Sequence, residues 1–240
     1  FKMMQKRVYD ICALTNDSIK IYFNDEKINI KNFNKYSELY INDVNSKDVL
    51  YEKINNRWEV IATYNNHSNG LEQISFVNGI WTIKGGKHVD YIVNQITKNM
   101  IDIIKKKNKD LNVKPQHIKD NLLIMVKSTI VNPSFDSQTK DTLTTPVSKF
   151  GSKAELTKQF YNKLYNTKLI ENVIELTEMY MNKSFKKTDG KKKTQVKGIS
   201  KLDDAIWAGT KKSDKCTLIL TEGDSAKSTA IAGLSEVGRE

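Results

Sequence analysis

Two patterns in the middle of the chain leave few folds open to it. From about Lys87 to Lys106, Val89, Ile92, Val93, Ile96, Met100, Ile103 and Ile104 recur at i, i+3, i+4, i+7, i+11, i+14 and i+15. That single stripe on a 3.6-residue period predicts a long helix with one face committed to a core. Downstream, Leu122 to Val126 is apolar at every position, which suits a buried central strand.

The flanks extend this into an α+β reading. Residues 3–14 read as a helix tail. Ile19, Ile21 and Phe23 alternate with Lys20, Tyr22 and Asn24, a half-buried strand ended by the turn Asn24-Asp25. Residues 34–41 read as a short helix, and residues 47–64 and 71–84 as strands with Trp58, Val60 and Ala62 on one face. Residues 132–151 are polar, carry Pro133 and Pro146, and are too long for an ordinary connector, which marks either a functional or a disordered loop. Ser152-Lys-Ala-Glu155 has the spacing of a capping box, so a helix is expected from there through Leu156, Phe160 and Leu164. A further helix carries Ile170, Val173, Ile174, Thr177 and Met181. Residues 183–197 are basic and polar and read as a linker, with the domain boundary in or just after them. Cys216 to Leu220 then reads as a short buried strand, Thr221 to Ala226 as a turn, and Lys227 onward as a helix.

The formal charge of +11 fits a polyanionic partner and equally a lysine-rich soluble surface. The clearest basic cluster is Lys105, Lys106, Lys107 and Lys109 at the end of the long helix, where cations also favour the helix dipole. No apolar run approaches the ~18–20 residues that span a bilayer, so no membrane role is expected. Cys12 and Cys216 form no CxxC pair, and a reducing compartment is the default. His67, His88 and His117 lack metal-ligand spacing. The chain begins at Phe1 and stops at Glu240 just after a strand–loop–helix pattern opens, which reads as a piece cut at both ends.

The most specific segment is Thr217-Leu-Ile-Leu-Thr-Glu222-Gly-Asp-Ser-Ala226. A carboxylate at a strand's end faces the crevice where α/β folds bind ligands, and it is a hard oxygen ligand suited to Mg²⁺. From these residues alone, Glu222 or Asp224 capping the next helix is the favoured reading. A phosphate-binding P-loop is excluded, because Ala226 stands where that motif needs a glycine before Lys227.

"TLILTEGDSA" resembles the first motif of the Toprim domain of type IIA DNA topoisomerases, and "KGISKLDDA" (197–205) resembles its approach. "VNGIWTIKGGKHVDYI" (77–92) and "NPSFDSQTKD" (132–141) resemble the transducer domain of the same enzymes. "FDSQTKDTL" and "EGDSAKSTAIAGL" are similar to the eukaryotic or large-virus branch; Ile206-Trp207-Ala208-Gly209 departs from its more usual polar sequence. The alternatives are a fragment of a bacterial-type gyrase B and a non-catalytic basic nucleic-acid-binding adaptor.

The resemblance implies a tail of the nucleotide-binding domain at 1–15 and a transducer domain at 16–182. A basic linker at 183–213 and the truncated start of an α/β Toprim domain at 214–240 follow. It implies an α+β transducer with helices packed on one side of the sheet and a left-handed βαβ crossover, against the usual hand. It further implies that this piece of a homodimeric, ATP- and Mg²⁺-dependent enzyme couples ATP hydrolysis to passage of double-stranded DNA. Gln138, Thr139 and Lys140 then reach the ATP site, with Lys140 on the terminal phosphate and counted as catalytic. Glu222 holds metal, and Lys105, Lys106, Lys107 and Lys109 face the duplex. The location is nuclear for a eukaryotic enzyme, or a viral replication site. The fragment alone is expected to be inactive, since the cleaving tyrosine, the later acidic pair and the nucleotide-binding half lie elsewhere.

Overall fold

The computed structural model describes residues 1–16, 18–41, 46–65, 70–109, 111–189, 203, 205, 207 and 211–237. They fall into two compact units, Phe1–Glu178 and Met179–Glu240.

The first unit is built on a sheet of β3 (Leu50–Asn55), β4 (Trp58–Tyr64), β5 (Glu72–Val77), β6 (Ile80–Trp81) and β8 (Leu122–Ser128), in the order β3-β4-β8-β5-β6. β8 lies at the centre. It runs antiparallel to β4, with Val60 opposite Val126 and Ala62 opposite Ile124, and parallel to β5, with Ile74 opposite Met125. A parallel neighbour cannot be reached by a tight turn. The chain therefore crosses over from β5 to β8 through the long helix α3 (Lys87–Lys107). Other elements of this unit are α1 (Lys2–Leu14), β1 (Tyr22–Phe23), β2 (Glu26–Lys27), α2 (Phe33–Ser37), β7 (Gly85–Gly86), α4 (Pro115–Lys119), β9 (Thr142–Leu143) and α5 (Lys158–Tyr165), with 3-10 turns at Ser46–Asp48 and Val147–Lys149. Helix α6 (Lys168–Asp189) runs across the division between the units.

The expected stripe on α3 is the floor of the main core. Val89, Ile92, Val93, Ile96, Met100 and Ile104 are buried there with Trp58, Val60, Ala62, Leu122, Ile124 and Val126, and Ile103 packs at its edge. Each such aliphatic side chain contributes roughly 1.5–3 kcal/mol by leaving water. The opposite face of the sheet is covered as well. Ile61, Ile74, Phe76, Leu123 and Met125 bury against Ala13 of α1 and Phe33 and Tyr36 of α2. The expectation of helices on one side only is therefore corrected. Side chains alternate along a strand, so an unbroken run such as Leu122 to Val126 must be covered on both faces.

Three other expectations change along this stretch of chain. The strand expected over Ile19–Phe23 shrinks to the two-residue pair β1–β2, joined through Asn24 and Asp25 at φ 50° and 64°; Ile19 remains exposed. The Ser152–Glu155 capping box does not form. Ser152 Oγ instead accepts from the Trp58 indole at 2.9 Å, and Gln95 Nε2 donates to the Ala154 carbonyl at 2.8 Å. These tertiary bonds hold the segment extended so that Ala154 and Leu156 bury, and α5 starts at the Thr157 cap, which accepts from Phe160 N–H at 3.2 Å. The stretch read as a linker opens as helix, since α6 continues through residue 183 to Asp189; residues 190–202 lie outside the described residues.

In the second unit, the strand expected over Cys216–Leu220 is not formed. Leu218, Ile219 and Leu220 are exposed, at 75%, 53% and 86%. A strand exists only where a neighbour accepts its ladder hydrogen bonds, and no described segment pairs with this one. The turn expected over Thr221–Ala226 is short, because α7 (Gly223–Val237) begins at Gly223, at φ 82°.

Candidate functional site

The polar loop after β8 is a braced hairpin rather than an open connector. Thr144 N–H donates to the Ser134 carbonyl at 2.9 Å, and Ser134 N–H donates to Thr145 Oγ1 at 2.7 Å. Phe135 bridges Leu143 across the two arms. Closer to the tip, Asp136 accepts at Oδ1 from Thr142 N–H, 3.1 Å, and from Ser137 Oγ, 3.2 Å. Partial desolvation alone raises the Asp136 pKa, but these hydrogen bonds outweigh it and hold the carboxyl below its ordinary value. The tip is a turn closed by Lys140 N–H donating to the Ser137 carbonyl at 3.1 Å, with Ser137 Oγ and Thr139 Oγ1 at 2.9 Å.

Gln138 and Thr139 are exposed and Lys140 is half-buried. Lys140 Nζ sits 5.9 Å from the Phe135 ring centroid, within cation–π range. Its backbone φ is 62°, in the left-handed region that a lysine visits at a cost of order 1 kcal/mol. The two braced arms hold that conformation. The structure thus brings all three predicted loop residues to one exposed tip. An ammonium and an amide side chain there are suitable donors for phosphate oxygens, so these residues fit a terminal phosphate.

The basic cluster closes α3. Lys105, Lys106, Lys107 and Lys109 are exposed, and the helix ends at Asn108, whose N–H donates to the Ile104 carbonyl at 2.7 Å. Lys107 Nζ lies 3.6 Å from the Tyr165 ring centroid. The others project toward solvent, free to meet phosphates of an approaching polyanion.

Glu222 is exposed at the entry to α7, with Asp224 in its first turn. Among the described residues no group of three or more His, Cys, Asp or Glu is gathered in a way that could hold a metal ion. A lone carboxylate supplies one oxygen ligand, and Mg²⁺ needs several more oxygens to complete its octahedral shell. Sequence reasoning missed the residues that brace the hairpin: Asp136, Asp141, Lys84 and the glycine pair Gly85-Gly86. The glycine pair placed directly before a strongly striped helix was the available signal.

The DNA gyrase B family model matches residues 15–196. DNA topoisomerase 2 of Bombyx mori is 44% identical over 244 residues, covering 99% of this chain and 16% of that protein. The chain therefore spans about a sixth of the length of the relatives it matches. The crystal structure of the ATPase region of Saccharomyces cerevisiae topoisomerase II superimposes with a TM-score of 0.66 at 43% identity, covering 73% of this chain and 44% of that one. That of the ATPase and transducer domains of DNA topoisomerase II from Balamuthia mandrillaris gives 0.69 at 36% identity, over 75% and 44%.

Proposed function

This chain belongs to the DNA gyrase B family, and on that premise we propose that it is the coupling segment of an ATP-dependent type II DNA topoisomerase. Residues 1–15 are the tail of the nucleotide-binding domain, 16–182 the transducer, 183–213 a basic connection and 214–240 the start of a Toprim domain. In this reading the β5–α3–β8 crossover is left-handed. The whole enzyme is a homodimer that cleaves one DNA duplex, passes another and reseals it, and it works in the nucleus of a eukaryotic cell or at a viral replication site. High identity to a eukaryotic topoisomerase 2 over nearly the whole chain favours this branch over a bacterial-type gyrase or a non-catalytic adaptor.

The observation that carries the reading is the braced hairpin with Lys140 held at its tip in a strained conformation. Gln138, Thr139 and Lys140 contact the nucleotide, and Lys140 places positive charge on the terminal phosphate as it transfers. ATP supplies the phosphoryl group whose departure removes that partner. Lys105, Lys106, Lys107 and Lys109 contact duplex phosphates without reading sequence. Glu222 would hold one position of the Mg²⁺ used in DNA cleavage, which would supply Lewis-acid chemistry there.

The test is Lys140→Ala in the intact enzyme. Turnover of ATP should fall about 10²-fold, while affinity for a non-hydrolysable analogue falls much less, because the contact is made mainly in the transition state. Gln138→Ala should act in the same direction but more weakly, since it leaves the charge in place. Normal turnover in Lys140→Ala would leave the loop as a tether and overturn the assignment.

A further inference from the structure

The hairpin is joined to α3 by main chain rather than by flexible side chains. Lys84 N–H donates to the Asp141 carbonyl at 3.0 Å, immediately after Lys140. Gly85 and Gly86 then pair in parallel with Thr142 and Leu143, and α3 starts at the next residue. The approach at Gly86 is too close for any side chain. Its φ is 123°, and a Cβ there would collide with the Leu143 carbonyl oxygen and stand 2.5 Å from the Leu143 nitrogen. Outside the ladder, Lys84 Nζ and Asp141 Oδ2 are 3.5 Å apart.

The strut is also fixed from beneath. Gly85 N–H donates to the Thr82 carbonyl at 3.0 Å, and Gln73 Nε2 on β5 donates to the Ile83 carbonyl at 2.7 Å. Leu143 on the other arm is 1% exposed, so it is anchored in the main core. A displacement of the 137–141 turn therefore has no slack to absorb it before the first residue of α3. That helix has 21 residues and is roughly 32 Å long at 1.5 Å per residue, with Lys105–Lys107 at its far end.

We propose that Lys84, Gly86 and Asp141 are positioning residues that tie the nucleotide loop to α3, so that Lys140 and the distal lysines move as one body. This rests on the reading of Lys140 as a nucleotide contact. The strut sets where Lys140 stands, and it lets duplex DNA bound at the far end of α3 alter ATP turnover.

The experiment compares Gly86→Ala, Lys84→Asp, Asp141→Lys and the Lys84→Asp/Asp141→Lys double variant in the intact enzyme. Steady-state ATP hydrolysis is measured with and without linear duplex DNA, beside Lys140→Ala. Gly86→Ala should lower kcat about tenfold with KM for ATP changed less than about threefold, and should abolish the response to DNA. Each single charge reversal should reduce the DNA response about twofold to threefold, and the double variant should restore it. Unchanged kcat and DNA response in Gly86→Ala overturns the strut. If Gly86→Ala does not fold, the charge pair decides: a double variant no better than its singles overturns the proposal, and restoration supports it. Loss of turnover in Lys140→Ala alongside intact strut variants removes only this inference. Normal turnover in Lys140→Ala removes the reading beneath it.

Discussion

The hairpin around Lys140 and the segment around Glu222 both resemble motifs of one family, yet they stand in opposite physical circumstances. Lys140 sits on a loop braced by ladder bonds, a core-anchored Leu143 and a glycine that admits no Cβ. Glu222 follows three exposed apolar residues and has no gathered carboxylates around it among the described residues. A motif identifies the reacting group, but geometry comes only from the frame that holds it. The hairpin has its frame within these residues; the Glu222 segment does not.

The comparison breaks most sharply at Glu222. In the intact enzyme Glu222→Gln should preserve ATP hydrolysis and abolish DNA cleavage, since the carboxamide keeps size and loses the charge that holds Mg²⁺. A cleavage assay at ordinary Mg²⁺ that shows normal product would reduce Glu222 to a helix cap.

Next in size is the contrast in packing. Trp58 is fully buried against Phe150, with ring centroids 5.7 Å apart, and its indole donates to Ser152. Trp58→Ala should cost about 3–5 kcal/mol in denaturant unfolding. Leu220→Ser in this chain should change stability by less than about 0.5 kcal/mol, because the side chain is already 86% exposed. In a longer protein carrying the rest of a Toprim sheet, the same change should become costly. Equal effects in both settings would argue against a Toprim strand here.

His88 gives a smaller, pH-dependent handle on the braced region. It is buried, its Nε2 lies 3.2 Å from Thr82 Oγ1, and burial pushes its pKa down to about 3 from 6.5. The unfolded chain binds this proton more readily than the fold does, so stability is full above about pH 6.5 and falls as pH drops toward 3. The contribution to the slope is roughly 1.4 kcal/mol per pH unit in that window. Denaturant melts should show this slope flattened in His88→Gln; an unchanged slope would mean that other groups set the acid limit.

The smallest effect concerns the far end of α3. Replacing Lys105, Lys106 and Lys107 by Ala should weaken duplex binding and lower the slope of log affinity against log salt by up to about 0.9 for each phosphate no longer neutralised. Because Lys107 already engages Tyr165, it should contribute least of the three. A titration whose salt slope does not change would leave these lysines as dipole partners only.

What was legible in the sequence follows from the range of the interaction. The stripe on α3 and the buried strand β8 were readable because burial imposes its period directly on the residues that obey it. The extended course of Ser152–Leu156 was not, because the Trp58 indole and the Gln95 amide that claim it come from remote positions. Coverage of both sheet faces was implicit in Leu122–Val126 but needed α1 and α2 to be placed. At the candidate site, Gln138, Thr139 and Lys140 were found through resemblance, whereas Gly86 and Asp141 acquire meaning only from a ladder between segments far apart in sequence.

The position of β8 has a consequence for the chain during synthesis. It is the last of the five sheet strands to be made, yet it inserts between β4 and β5. Until residues 122–128 have left the ribosome, the β3–β4 and β5–β6 hairpins each present an open, apolar edge with nothing to pair it. The sheet then closes in one late step that joins remote segments, the kind of step that is slow and exposed to misassembly. This unit is therefore most vulnerable to aggregation just before its central strand appears, and a chaperone that shields those two edges would find its substrate in that interval.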